Sequence, residues 1–266
     1  MSEPSSPPAQ QPVPDAGSSS TTAGQGTKTP ARPISPDAAT GWAVLVFGIA
    51  QLIGLAFVFI WYAGDLPVSA GLGRFDGSLV ALSTLIINPA LVGLFWALVR
   101  YRGLDARDYL GLTRFHFRHL VIGILAIAVL AAAMYTLAYL AGLDLVPTFQ
   151  TDAYLSARRE GWLLPLWLAV VVVGPIGEEI TFRGFLYRGW VRPGTVVTPI
   201  LVLTLLWTAM HLQYDWFGMS QVFLTGLVLG WLRWLSGSTT LTIVLHMLVN
   251  LEATIETIVK VGWPAT

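Results

Sequence analysis

The 266-residue chain contains no cysteine. That excludes a disulfide framework, a thiolate zinc site and a cysteine nucleophile. Charge is scarce as well: Asp, Glu, Lys and Arg make up 11% of residues, against roughly 25% in soluble domains. Fifteen basic residues balance fifteen acidic ones, so no excess of positive charge points to a nucleic-acid partner. The N-terminal segment lacks the basic start and apolar core of a secretory signal peptide. What the chain has in quantity is apolar side chain, 55% of residues, with a mean hydropathy of +0.66. Lipid selects this combination, because it rewards apolar surface and penalises charge. The expected class is an all-α, polytopic transmembrane helical bundle.

Residues 1–41 do not share that character. They hold eight of the sixteen prolines and the run Ser18-Ser19-Ser20-Thr21-Thr22. A segment so poor in large apolar side chains cannot offset its ordering entropy, and a disordered cytoplasmic tail is expected. Apolar windows follow at residues 42–62, 78–99, 119–141, 162–176, 196–212, 218–235 and 239–259. About seven spans are therefore expected, or eight with a re-entrant or broken segment, all helical because each backbone polar group needs a partner within the membrane. The fourth window is interrupted by Gly174-Pro175-Ile176-Gly177 and two glutamates, and the seventh carries Glu252 and Glu256. On this reading residues 42–161 form N-terminal transmembrane helices and residues 162–260 a catalytic core.

The basic residues suggest an orientation. With the tail inside, eleven lie on the inner side, among them Arg100, Arg102, Arg107, Arg114, Arg118, Arg183 and Arg233. Only Arg74, Arg158, Arg159 and Lys260 lie outside. The positive-inside rule then places the N-terminus in the cytoplasm and the protein in the cytoplasmic (inner) membrane of the cell.

Chemistry is sought among polar groups that hydropathy does not explain, since an ionisable side chain at membrane depth is costly. Glu178 and Glu179 are followed by Arg183. On a helix Glu179 and Arg183 are neighbours four apart, in the favourable order, while Glu178 points about 100° away and is left free to work. If the Gly-Pro segment breaks the span, Glu178 sits at a helix start, where the dipole favours an anion. His211 lies late in the fifth window, and His246 with Asn250 share one face of the seventh. Glu252 and Glu256 fall off that face and mark a wet helix end or another cavity. A carboxylate or imidazole can activate water, and His or Asn donors can hold a tetrahedral oxyanion. Glu178, His211 and His246 are also an acceptable zinc set with an open position. Straight helices entering at residues 196 and 239 place His211 roughly 22 Å deep and His246 about 10 Å, a mismatch that tilted or broken helices would remove.

Three motifs carry a resemblance. Glu178-Glu179-Ile180-Thr181-Phe182-Arg183 resembles the first motif of the CAAX protease and bacteriocin-processing family, the type II CAAX prenyl endopeptidases. Trp207 to His211 is similar to the second, with Trp207 where the family usually has phenylalanine, and His246 to Asn250 matches the third. The resemblance covers roughly residues 162–251. It implies an intramembrane endopeptidase cutting near the C-terminus of a membrane-associated or prenylated protein. By the same carry-over, Glu178 and His211 activate water, His246 and Asn250 hold the oxyanion, and Glu179 with Arg183 support the site. A metalloendopeptidase with zinc on Glu178, His211 and His246 is one version of this reading; glutamate-activated water without metal is the other. The expected partners are the lipid bilayer and a lipidated protein or peptide. Two alternatives stand beside it: a non-catalytic immunity or partner-binding protein on the same scaffold, and a proton-coupled transporter.

Overall fold

The computed structural model describes residues 34–62 and 76–262, so the expected tail up to Pro33 lies outside the described residues. Nine helices are present among them. They are α1 (Pro36–Trp61), α2 (Gly77–Tyr101), α3 (Ala106–Tyr109), α4 (Phe117–Ala141), α5 (Thr148–Glu160), α6 (Leu163–Trp190), α7 (Val197–Ala209), α8 (Trp216–Ser236) and α9 (Thr239–Val261). Local chemistry sets their starts. Pro36 stands at the first turn of α1, where its missing N–H is harmless, and Ser35 Oγ accepts from Ala38 N–H at 3.3 Å. The helix thus begins six residues before the window edge at Trp42. Asp76 caps α2 through Leu79 N–H at 2.9 Å, and Ser238 caps α9 through Leu241 N–H at 3.3 Å.

Five helices are long and apolar enough to cross a membrane: α1, α2, α4, α6 and α9. Seven spans are not found. The fifth window yields α7, whose 13 residues reach only about 20 Å of the roughly 30 Å of hydrocarbon. The sixth yields α8, long enough but carrying Ser220, Gln221, Thr225 and Arg233 along an otherwise apolar helix. The fourth window proves longer than expected. No break occurs at Gly174-Pro175, and α6 runs unbroken for 28 residues through both glutamates. Glu178 is therefore mid-helix, and the helix-start argument for its charge does not apply.

Two turns of α6 are π-helical, Leu168–Val173 and Ile180–Leu186. Pro175 supplies a reason for the first. It has no N–H to donate and its ring crowds the preceding turn of an α-helix. The wider turn relieves this, with Gly174 N–H donating five residues back to Ala169 O.

The helices pack around α6. Helix α2 lies between α1, α5 and α6, while α8 contacts α4, α7 and α9, and α9 closes against α6. The largest buried cluster joins α1, α2, α6 and α7 through Phe95, Phe185, Leu203 and Trp207. A smaller one joins α8 and α9 through Leu229, Leu232, Leu241 and Leu245. Glycine permits the close approaches that matter. A Cβ on Gly177 would fall 2.1 Å from Asn88 Oδ1, and one on Gly226 would fall 2.9 Å from Trp207 Cε3. The outward faces of α1 and α4 carry exposed Leu52, Ile60, Leu125 and Val129, the surface expected against acyl chains.

Candidate active site

Glu178, His211, His246 and Asn250 come from three separate stretches of sequence and border one cavity of about 120 Å³. Helix α6 supplies the carboxylate, the turn after α7 supplies His211, and α9 supplies the other two. The mismatch in depth is thereby resolved. Helix α7 stops at Ala209 and the chain turns tightly, with His211 N–H donating to Thr208 O at 2.9 Å and Tyr214 N–H to His211 O at 3.0 Å. Residue counts along α7 and α9 do not measure depth from a common plane.

Trp207 is the hub of the site. It is 2% exposed, and its indole Nε1–H donates to Glu178 Oε2 at 2.6 Å. Its ring centroid lies 5.1 Å from that of His211 and 5.3 Å from that of His246, both edge-on. The Arg183 guanidinium sits 4.5 Å from the same ring, a cation–π contact. Glu178 is thus held, not free as its sequence position suggests. A phenylalanine at 207 would keep the packing and lose the bond.

The supporting pair is present with an extra member. Arg183 Nη1 donates to Glu179 Oε1 at 3.0 Å, and His246 Nδ1 meets that same oxygen at 3.0 Å. All three side chains are buried. Arg183 Nη2 also donates to Gly226 O at 3.1 Å, tying α6 to α8. These bonds compensate a carboxylate and a guanidinium that lipid would otherwise penalise heavily.

Hydrogen bonds assign the histidine tautomers. His211 Nδ1 lies 2.9 Å from Trp207 O. A carbonyl only accepts, so Nδ1 carries the proton and the neutral ring keeps a lone pair on Nε2. His246 Nδ1 likewise donates to Glu179. Asn250 Nδ2 donates to Val170 O at 2.7 Å, which occupies one of its two amide hydrogens. That carbonyl is available because Gly174 N–H is drawn to Ala169 and Pro175 has no N–H. The second π turn is used in the same way, its Arg183 O accepting from Arg233 Nε at 2.8 Å.

Sequence reasoning missed several residues here. Arg233 is 5% exposed and holds α6 from within, so it and Arg183 report nothing about loop charge. Nine basic residues then remain on the inner side against four. A guanidinium between Leu232 and Trp234 in an apolar run was the signal. Gln150, Tyr214, Gln221 and Thr225 also line the cavity. Tyr214 stacks on His211 with centroids 5.8 Å apart, and burial pushes its phenol above the ordinary tyrosine value. Glu252 and Glu256 line a separate cavity between α4, α8 and α9, where Tyr135 bonds to both.

Among the described residues, no three His, Asp or Glu side chains group so as to hold a metal ion. Glu178 Oε2 and Nδ1 of both histidines are already engaged. The expected zinc set does not fit this arrangement, and no step below is routed through metal.

Residues 160–251 match the family model described as type II CAAX prenyl endopeptidase Rce1-like, a stretch that contains every residue of the cavity's polar wall except Gln150. No curated protein and no solved structure matches the chain.

Proposed function

Since residues 160–251 form an Rce1-like type II CAAX prenyl endopeptidase domain in a multi-pass membrane protein, we propose that the chain is an intramembrane endopeptidase. Its substrate is a membrane-associated or prenylated protein, cut near the C-terminus. The observation that carries this reading is the convergence of Glu178, His211, His246 and Asn250 on one cavity.

The residues divide the work as follows. Glu178 and the Nε2 lone pair of His211 take a proton from water, whose oxygen adds to the scissile carbonyl carbon. The carbonyl oxygen gains the charge and is met by the free amide hydrogen of Asn250 and by Nε2–H of a His246 imidazolium. Glu179, at 3.0 Å from Nδ1, offsets that imidazolium's charge. Collapse of the tetrahedral species breaks the C–N bond, and the proton held on Glu178 or His211 passes to the leaving amine. Trp207 fixes which carboxylate oxygen faces the cavity. The N-terminus and the segment from Arg100 to Arg118 face the cytoplasm in this proposal, on the nine-to-four distribution of basic residues.

The test uses purified full-length protein in nanodiscs and a quenched fluorogenic peptide carrying a prenylated cysteine near its C-terminus. Wild-type protein should release a fragment whose mass identifies one cleaved bond, and Glu178→Gln should release none. Equal cleavage by wild type and Glu178→Gln would overturn the proposal. No cleavage by either would favour the immunity or partner-binding alternative.

A further inference from the structure

Glu178 borders a second cavity. This one, about 150 Å³, opens on the opposite side of the carboxylate between α1, α2 and α6. Its polar wall is Gln51, Ser83, Thr84, Asn88 and Thr181, five side chains within apolar spans. Ser83 and Thr181 each donate to a carbonyl of their own helix at 2.7 Å, which leaves their oxygen lone pairs facing outward as acceptors. Asn88 Nδ2 donates to Thr84 O at 3.2 Å, and its Oδ1 is pressed against Gly177. Capacity for acceptors and donors therefore exceeds what the protein's own bonds use. In hydrocarbon such groups are costly unless another partner meets them.

The carboxylate is placed to connect the two cavities. Oε2 is committed to Trp207. Oε1 lies on the α2 side, where a Cβ added to Gly174 would meet it at 3.8 Å and Thr84 Cγ2 at 3.7 Å. Peptide hydrolysis consumes one water per bond. A peptide seated among His211, His246 and Asn250 covers the first cavity, and lipid surrounds the helices. We infer that the α1–α2–α6 cavity is a water-binding site that supplies Glu178 from behind while substrate fills the front. Its volume suits a few waters at roughly 30 Å³ each, and each would find the two to four polar partners that buried water requires. The supply role rests on the proposed hydrolytic function; the water site itself does not.

X-ray radiolytic hydroxyl-radical footprinting of the protein in nanodiscs tests the site directly, because radicals form where water is held. Phe182 and Leu91 line the cavity yet are 5% and 4% exposed, while Phe95 is fully buried in the core away from it. Phe182 and Leu91 should be oxidised and Phe95 spared. Thr84→Val, close to isosteric, and Asn88→Leu should each reduce labelling of Phe182. With the prenylated peptide, the same variants should show a roughly tenfold lower kcat and an unchanged KM. Absence of oxidation at Phe182 and Leu91 in the wild type overturns the proposal, whether or not the peptide is cleaved. Variants that lose the labelling but keep full kcat overturn the supply role and leave the peptidase reading standing.

Discussion

Replacing the Trp207 indole with benzothiophene, as β-(3-benzothienyl)alanine, exchanges one N–H for sulfur and changes little else. The ring still fills the space against Gly226 and lies under Arg183, so packing is preserved. What disappears is the 2.6 Å donation to Glu178 Oε2. A hydrogen bond to a charged group contributes about 1.5–3 kcal/mol, which corresponds to roughly 10–100-fold in rate if it is spent on aligning the carboxylate for proton transfer. The expected result is that fall in kcat, with KM and the thermal midpoint near wild type. Trp207→Phe should lose the same bond and, in addition, about 1–3 kcal/mol of stability from the smaller ring. Steady-state kinetics on the prenylated peptide and a thermal unfolding scan in nanodiscs separate the two effects. A benzothienyl variant with undiminished kcat would refute the claim that Trp207 positions Glu178.

Glu178→Gln should abolish cleavage while keeping expression and thermal stability, because glutamine still accepts from Trp207; unfolding of this variant would reverse the assigned roles. Glu179→Ala and Arg183→Ala should each lower stability by about 3–5 kcal/mol, since either leaves a buried charge without its partner; a thermal scan reads this directly. The exchanged double variant Glu179→Arg with Arg183→Glu should recover nothing, because His246 would then face an arginine, and a restored midpoint would show that His246 is not part of the pair. Protein dialysed free of divalent metal and checked by elemental analysis should retain its cleavage rate; loss restored by zinc alone would reinstate the metal set. Cysteines introduced at Ser20 and Thr113 should resist an impermeant thiol reagent on intact cells, and labelling of either would invert the orientation.

Much of this was legible in the sequence because it rests on spacing. The apolar windows correspond to helices, and the Glu179–Arg183 neighbourhood follows from i, i+4 geometry. The three motifs converge as the resemblance implied. What spacing cannot convey is tertiary. Gly174-Pro175 signals a break in a one-dimensional reading, yet neighbouring helices and a π turn absorb the missing N–H. Arg233 looks like a loop charge until α6 offers it a carbonyl. The indole nitrogen of Trp207 is invisible to any pattern that treats aromatics as interchangeable packing. The number of spans was overestimated for a related reason: α7 and α8 are apolar enough to resemble membrane helices, although one is short and the other carries polar groups, two of which line the cavity.

The π turns of α6 bear on which changes to the gene this protein would tolerate. Each is an α turn with one residue too many. Removing a single valine from Val171-Val172-Val173 would let the first turn relax to α geometry and rotate everything after it by about 100° relative to Leu163–Trp167. Glu178, Glu179 and Arg183 would swing together, Glu178 away from both of its cavities and the ion pair toward other neighbours, with no chemical group deleted. Exchanging one of those valines for isoleucine or leucine would leave the rotation untouched. Along this stretch the reading frame of the helix is the sensitive quantity, so single-codon deletions should be lethal to function where conservative point changes are silent.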